Sequence, residues 1–354
     1  MLGRFAWARH HAARPGATLL DNRAMNTSAV RWGLIGPGAI AQHFAQAAAA
    51  MDTTALVAVH GRDAARCQAF VQQHAPQACV HSGLHALLAD PHIDMVYIAT
   101  PHSAHAQAVR QALLAGKGVL CEKPLAPTAT QAQALIALAQ ERGVFLMEAL
   151  WSRFLPSWQQ ARTWLEAGAI GAPQAMQSSF CFDVPFDAHS RLFSPALAGG
   201  ALLDIGVYNL SASQWLMQRE PLAFHVDAVL ASTGVEQRVA ATLDYGHGLT
   251  SQFVCAFDGV ADNRLRVFGP RGHIELGHNF WQATEATLVR PGQAVLHVPY
   301  PFRINGFEYQ IEHAQQCWRA GAVQSPVMPH QDSLAVVTLI DAMRQRLGVR
   351  YPFE

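Results

Sequence analysis

A chain of 354 residues is long enough to bury two separate cores, and half of it (51%) is hydrophobic. Lysine plus arginine equals aspartate plus glutamate at 25 each, so there is no basic field to attract nucleic acid. The longest apolar runs break well before the ~20 residues a membrane span needs, which excludes a membrane partner from the reading.

Residues 1–28 differ in character from the rest of the chain. They carry Arg4, Arg9, Arg14 and Arg23 against the single acid Asp21, with no apolar core suited to a secretory signal. The preferred reading is a start at Met25, with the upstream residues an extension or a disordered tail; a transit peptide is the alternative. From 29 to 150 short β-like runs alternate with amphipathic helical stretches. Strands are expected at 30–35, 55–60, 95–99, 118–121 and 144–147, with helices at 39–51, 63–74 and 103–115 among them. This order predicts a Rossmann-type doubly wound parallel sheet, a dinucleotide-binding domain. Beyond 150 the pattern changes. Runs at 174–184, 224–232, 237–245, 250–257 and 264–268 follow one another with short turns, Tyr245-Gly246-His247-Gly248 being a hairpin turn. With helices at 155–167, 200–218, 306–320 and 330–347, residues 151–354 read as an α+β substrate-binding domain with a large, mostly antiparallel, open-faced sheet. The last helix is expected to be able to pack back on the first domain.

The motifs sit at strand ends. Gly36-Pro37-Gly38-Ala39-Ile40-Ala41 lies between the first strand and first helix, where a dinucleotide fingerprint belongs. Gly36 permits the tight turn, Gly38 lets the backbone approach a pyrophosphate, and Ala41 keeps helix and strand close. The helix start supplies N–H groups and a favourable dipole for phosphate. At the end of the second strand no acid waits for ribose hydroxyls; Arg62 and Arg66 are there instead, which favours the 2′-phosphate of NADP over NAD. The competing reading makes both solvated helix-start arginines, with Asp63 an N-cap or a ribose ligand. Thr100-Pro101-His102 ends the 95–99 strand and lines the same crevice; His102 and His105 contact the nicotinamide half or cap a helix. Glu122-Lys123-Pro124 follows 118–121, placing Lys123 at the carboxyl end of a parallel strand as a catalytic candidate. In the second half, Gly199-Gly200 opens a helix on which Asp204 and Tyr208, spaced i and i+4, share a face.

Taken together, Gly36-x-Gly38, Cys121-Glu122-Lys123-Pro124, Met147-Glu148-Ala149-Leu150-Trp151-x-Arg153 and Gly200-x-x-x-Asp204-x-Gly206-x-Tyr208 resemble the Gfo/Idh/MocA oxidoreductase family. The segments from Gly306-Phe307-Glu308-Tyr309 to Ser325-Pro326-Val327-Met328-Pro329, and Tyr351-Pro352-Phe353-Glu354, fit too, so the resemblance spans nearly everything after Met25. It is nearest the branch containing dimeric dihydrodiol dehydrogenase and NADP-dependent D-xylose dehydrogenase. Many members have histidine where this chain has Tyr208, which shifts the implied proton carrier from imidazole to phenol.

The resemblance implies metal-free hydride transfer between NADP and a secondary alcohol or cyclic hemiacetal. The substrate classes are a sugar such as an aldopentose, then a trans-dihydrodiol. Tyr208 is the implied acid/base. Lys123 is expected to lower its pKa from the ~10 of a free phenol or to bond the substrate oxygen, and Asp204 to orient the lysine or a substrate hydroxyl. Glu122 and Trp151 are expected at the cofactor. Trp151, Phe180, Trp281 and Phe302 are expected to line the substrate pocket, each with core filler as its alternative. Arg153 is expected at cofactor or substrate, a structural ion pair being its alternative. Family members commonly dimerise through the open sheet face, so a homodimer or higher homo-oligomer is expected, with 239–243 and 250–255 supplying that face. Two other classes are a catalytically silent dinucleotide-binding regulator of the same fold and a scaffold whose sheet face buries a partner. The six scattered cysteines, with no C-x-x-C pair, read as reduced thiols of a cytoplasmic protein, and the 18 histidines show no H-E-x-x-H spacing that would call for a metal.

Overall fold

The computed structural model describes residues 28–354, so the N-terminal extension, apart from Ser28, lies outside the described residues. β1 (Val30–Ile35) leads into α1 (Ala39–Ala49). The alternation continues through β2 (Thr54–His60), α2 (Ala64–His74), β3 (Cys79–Val80), α3 (Leu84–Ala89), β4 (Met95–Ile98) and α4 (His102–Leu114) to β5 (Gly118–Glu122), α5 (Ala129–Arg142) and β6 (Leu146–Ala149). The six strands are parallel in the order β3-β2-β1-β4-β5-β6. The order reverses between β1 and β4, and the carboxyl ends of the strands there form the crevice where doubly wound sheets bind ligands.

Period-two alternation builds this sheet. Trp32, Leu34, Met95, Tyr97, Leu120 and Met147 face one core, where Phe44 stacks on Tyr97 with centroids 4.1 Å apart. Ile35, Val96, Ile98, Val119, Cys121 and Leu146 face the other, against Val109 and Leu113 of α4 and Leu135 of α5. With both faces covered, the strands are apolar throughout, as parallel sheets require. β6 lies two residues later than its expected 144–147. Gly143 takes φ +62° to end α5, Val144 closes that turn by donating to the Ala139 carbonyl, and Leu146 pairs with Val119. β3 was not foreseen; at two residues it is too short to carry a pattern.

In the second half a 3₁₀ turn (Trp151–Phe154) precedes α6 (Pro156–Glu166) and β7 (Ala175–Cys181). A π-helical turn (Leu202–Gly206) then runs into α7 (Val207–Met217), followed by β8 (Ala223–Leu230), β9 (Glu236–Asp244) and β10 (Thr250–Ala256). After β11 (Leu265–Gly269), β12 (Gly272–Leu276), β13 (Glu285–Val289) and β14 (Leu296–Pro299), the chain ends with α8 (Phe307–Arg319) and α9 (His330–Leu347). The eight strands take the order β14-β13-β12-β11-β7-β10-β9-β8, antiparallel except for the parallel pair β7–β10. The expected hairpin turn joins β9 and β10, with Gly246, His247 and Gly248 all at positive φ. β12, β13 and β14 were missed; β14 is mostly exposed and so carries no apolar face to mark it.

α6 and α7 cover one face of this sheet, and the other holds a shallow concavity of about 480 Å³ lined by residues such as Gln177, Thr242, Gln252 and Arg266. α8 packs on α1. α9 packs on α5 and α7, with Asp341 accepting from the Ala129 N–H (2.7 Å) and His330 donating to the Leu146 carbonyl (2.9 Å). One apolar core runs without a break from the first sheet to the second. No helix among the described residues is long and apolar enough to cross a membrane.

Candidate active site

The glycine turn is shaped by close backbone approach. Gly36 has φ +92°, and a Cβ there would lie 2.8 Å from the Ala99 carbonyl and the Thr100 nitrogen. Gly38 is the N-cap of α1 with no side-chain cap, and the first turn of that helix holds no acid. The N–H groups at Ala39, Ile40 and Ala41 therefore have no competing anion on their own helix, as a phosphate cradle needs. Gly61 is also committed by packing, since a Cβ would meet Pro37 at 2.7 Å. Beside the turn, Thr100 Oγ1 is buried without a hydrogen-bond partner among the described residues. A buried hydroxyl left unpaired next to a glycine cradle fits a bound dinucleotide. Pro101 is the N-cap residue of α4. Arg62 and Arg66 are exposed at the start of α2, and Asp63 caps that helix by accepting from the Arg66 N–H at 3.1 Å. The aspartate carboxylate is thus occupied locally while two guanidinium groups stand clear of it.

Lys123 stands just past β5, at the crevice. Its Nζ donates to the Asp204 carbonyl and to Asp204 Oδ1 at 3.1 Å. The same Oδ1 accepts from Arg191 at 2.8 Å and lies 3.5 Å from His102 Nε2. Burial alone would raise the Asp204 carboxyl, but the Lys123 and Arg191 charges outweigh it and hold the group well below the usual carboxylate range. His102 Nδ1 donates to the Ala198 carbonyl (3.1 Å), and burial lowers the ring to about 3, so it is neutral at pH 7. His105, fully buried, spans the two crevice turns with Nδ1 2.8 Å from the Pro124 carbonyl and Nε2 2.9 Å from the Thr100 carbonyl. Glu122 is buried beneath the lysine, accepts from the Tyr97 hydroxyl at 2.5 Å, and is pushed up to about 7 by desolvation.

The helix expected at 200–218 is not regular: residues Leu202–Gly206 form a π-helical turn before α7 begins. Gly200, at φ +120°, enters it with the Glu236 carboxyl where a Cβ would sit (2.6 Å), and Gly206 packs against Cys255. Asp204 and Tyr208 therefore face the same site across a widened turn of the kind often found at functional positions. Tyr208 Oη accepts from Trp151 Nε1–H at 3.2 Å, and Lys123 Nζ is 5.2 Å from the phenol ring centroid. Phe180 lies 5.5 Å from the Tyr208 ring and stacks on Trp281 at 3.5 Å with an interplanar angle of 4°. Phe302 meets Trp151 at 6.1 Å. Trp151, Phe180, Trp281 and Phe302 thus form an aromatic wall around Tyr208.

Two expectations are corrected. Lys123 does not depress the Tyr208 phenol, whose pKa is raised well above its ordinary value by burial, with the nearby carboxyls Glu122, Asp204 and Glu148 adding to the rise. The lysine ammonium is bonded to Asp204, the residue expected to orient it. Arg153 does not reach the crevice. It is fully buried (0% exposed), and its donors go to Asp332 (2.6 Å), Ser211 Oγ (3.0 Å), Gln214 (3.1 Å) and the Ser211 and Val327 carbonyls. With every N–H engaged, it is the structural ion pair. The residue not foreseen is Arg191. It sits in the irregular stretch after β7, where no periodicity or motif marks it, yet it makes a shorter contact to the Asp204 carboxylate than Lys123 or His102.

Comparison with known proteins places both halves of the chain in one family. The family described as "Oxidoreductase family, NAD-binding Rossmann fold" matches residues 30–150, and "GFO/IDH/MocA C-terminal domain" matches residues 158–275. A trans-1,2-dihydrobenzene-1,2-diol dehydrogenase of Mus musculus is 33% identical over 336 residues, covering 92% of this chain and 98% of the relative. Among solved structures, an aldose-aldose oxidoreductase from Caulobacter crescentus, complexed with glycerol, superposes with a TM-score of 0.81 at 26% identity, covering 90% and 98% of the two chains. A 3-ketoreductase from Actinomadura kijaniata, solved with NADP, gives a TM-score of 0.76 at 27% identity over 90% and 97%.

Proposed function

The chain belongs to the GFO/IDH/MocA oxidoreductase family, and from that membership we propose that it transfers a hydride between NADP and the carbinol or hemiacetal carbon of a sugar, with trans-dihydrodiols the next substrate class. Membership makes it an oxidoreductase with an NAD-binding Rossmann domain; the choice of NADP and the substrate class are our reading. One relative is named an aldose-aldose oxidoreductase and another a dihydrodiol dehydrogenase, and the 3-ketoreductase was solved with NADP, which supports that choice. The free guanidinium groups of Arg62 and Arg66 suit a 2′-phosphate, and the N–H groups at 39–41 suit the pyrophosphate. Thr100, Pro101, His102 and Glu122 border the place for the nicotinamide half, which when bound supplies or accepts the hydride.

The protein's own groups handle the proton. Tyr208 keeps its proton at neutral pH because its pKa is raised, so it is suited to donate to the oxygen of a carbon being reduced. Trp151 fills one lone pair of Oη, which leaves the phenolic O–H free to point at substrate. Lys123 and Arg191 set two positive charges against the single carboxylate of Asp204, a surplus that stabilises negative charge developing on the substrate oxygen. The aromatic wall suits the apolar face of a sugar or an arene diol. Dimerisation through the open face of the second sheet belongs to the same reading, and light scattering tests it.

The observation that carries the proposal is the meeting of Lys123, Asp204 and Tyr208 at the carboxyl end of β5. The test is NADPH formation across aldoses, polyols and a trans-dihydrodiol, with NAD alongside, and with Lys123→Met and Tyr208→Phe. Turnover with NADP that is lost in both variants is the expected result. Dinucleotide binding without turnover on any substrate would overturn the enzyme reading in favour of a regulator, and equal turnover with NAD would remove the role given to Arg62 and Arg66.

A further inference from the structure

Cys79, His81 and Asp90 gather at the β3 edge of the first sheet, outside the site just described. Their sulfur, nitrogen and oxygen atoms lie within 4.8 Å of one another. Cys79 Sγ is 3.4 Å, and Asp90 Oδ2 3.3 Å, from the same imidazole nitrogen, His81 Nε2. Without an ion, the Cys79 thiol can turn to the Val57 carbonyl and the His81 N–H to Asp90, but the three donor atoms cannot then all be joined to one another. Nε2 has one in-plane orbital, holding either a proton or a lone pair, so it can serve the thiol or the carboxylate but not both. A cation at the centre of the three serves all of them.

The spacing fits such an ion. Bonds of about 2.3 Å to sulfur and 2.0–2.2 Å to nitrogen and oxygen, at tetrahedral angles, place S and N about 3.5 Å apart and N and O about 3.4 Å apart. The Sγ–Nε2 and Nε2–Oδ2 edges, at 3.4 and 3.3 Å, match those values, and any excess of the remaining Sγ–Oδ2 edge (at most 4.8 Å) over the ~3.6 Å of a tetrahedral S–ion–O pair is taken up by rotation of the exposed Cys79 side chain. The supporting contacts are in place. Asp90 Oδ1 accepts from the His92 N–H at 2.8 Å, leaving Oδ2 for a ligand role, while the His81 backbone is fixed by Val59 O (3.0 Å) and His60 Nδ1 (3.0 Å). Cys79 Sγ also lies 3.4 Å from the Val57 carbonyl, a contact its thiol proton makes when no ion is bound. Cys79 is exposed, so ion and water have access, whereas the other five cysteines are buried.

We propose that Cys79, His81 and Asp90 form a three-ligand site for a borderline divalent cation, zinc foremost, with water completing a tetrahedron. Thiolate and carboxylate neutralise the ion, and the mixed S, N, O donor set suits zinc better than magnesium or calcium. Its ligands come from β3 (Cys79), the residue after it (His81) and the C-cap of α3 (Asp90), so the ion ties a two-residue edge strand to the helix that follows it. The test is titration of metal-free, untagged full-length protein with Co²⁺, followed by Zn²⁺ displacement and thermal denaturation. Expected are saturable one-to-one binding with a thiolate-to-cobalt charge-transfer band and tetrahedral ligand-field bands, both abolished by zinc. Cys79→Ser should remove the charge-transfer band, and Asp90→Asn should weaken binding. Zinc at a hundredfold excess over its Kd should raise the folded-to-unfolded ratio about a hundredfold. No charge-transfer band, a band that survives Cys79→Ser, or a melting point unmoved by zinc would overturn the proposal. None of these readouts depends on turnover, so the result stands apart from the catalytic reading.

Discussion

Replacing Asp204 by asparagine removes a buried charge on which Lys123 and Arg191 converge, at almost unchanged volume. At 3.1 Å and an effective dielectric of about 20, the attraction to Lys123 alone is about 5 kcal/mol, set against several kcal/mol for desolvating the carboxylate. Removing one partner of a buried pair costs about 3–5 kcal/mol. Two features reduce that here. Lys123 keeps the residue-204 carbonyl as an acceptor, and the Arg191 side chain is 57% exposed and recovers water. The expected loss at pH 7 is therefore about 2–3 kcal/mol. The pH dependence has a definite sign. The folded carboxyl is held below its unfolded value of ~3.9, so its stabilisation is present above about pH 4 and is lost as the pH falls further. The gap between wild type and Asp204→Asn should thus be widest near neutrality and close by up to about 1.4 kcal/mol per pH unit below pH 4. Urea unfolding followed by circular dichroism at pH 7, 5, 4 and 3 measures it. A gap under about 1 kcal/mol at pH 7, or one that does not narrow below pH 4, would refute the reasoning.

Trp151→Phe deletes the 3.2 Å donor to Tyr208 Oη, a net loss of about 1 kcal/mol, so kcat in steady-state assays should fall about fivefold, and an unchanged kcat would contradict the role given to this bond. Arg62→Ala and Arg66→Ala should each weaken NADP binding about ten- to hundredfold, the range of a charged hydrogen bond, while leaving NAD untouched; equal losses for both cofactors would contradict the assignment. Burial lifts Glu236 to about 7 from an unfolded ~4.3, so the folded state retains a proton that the unfolded chain releases. Wild type should therefore lose stability as the pH rises from about 4 through 7, and the non-ionising Glu236→Gln should gain relative to it over that interval; a difference that stays flat between pH 5 and 8 in denaturant titrations would refute this.

Local chemistry made much of the fold readable. Strand runs in which neighbouring residues enter opposite cores, a glycine turn at the first strand–helix junction, and Gly246-His247-Gly248 between two alternating strands all act over a few residues. Strand β3 escaped notice because two residues carry no pattern, and β14 because its residues are mostly exposed; their partners hold them in place. The π-helical turn was likewise invisible, since the crowding that accompanies it comes from Glu236 and Cys255, dozens of residues away.

The sequence by itself determined the class of chemistry: a dinucleotide cradle at Gly36–Ala41, a lysine at a strand end, and an acid and phenol four residues apart on one helical segment. Tertiary structure decided what those groups do to one another. Whether Arg153 meets a ligand or Asp332, whether Lys123 bonds Tyr208 or Asp204, and whether Arg191 joins them depend on distances of a few ångströms between elements far apart in the chain. Charge interactions vary with separation and burial, neither of which a one-dimensional pattern contains. That is why the residues were legible while the proton affinity of Tyr208 was not.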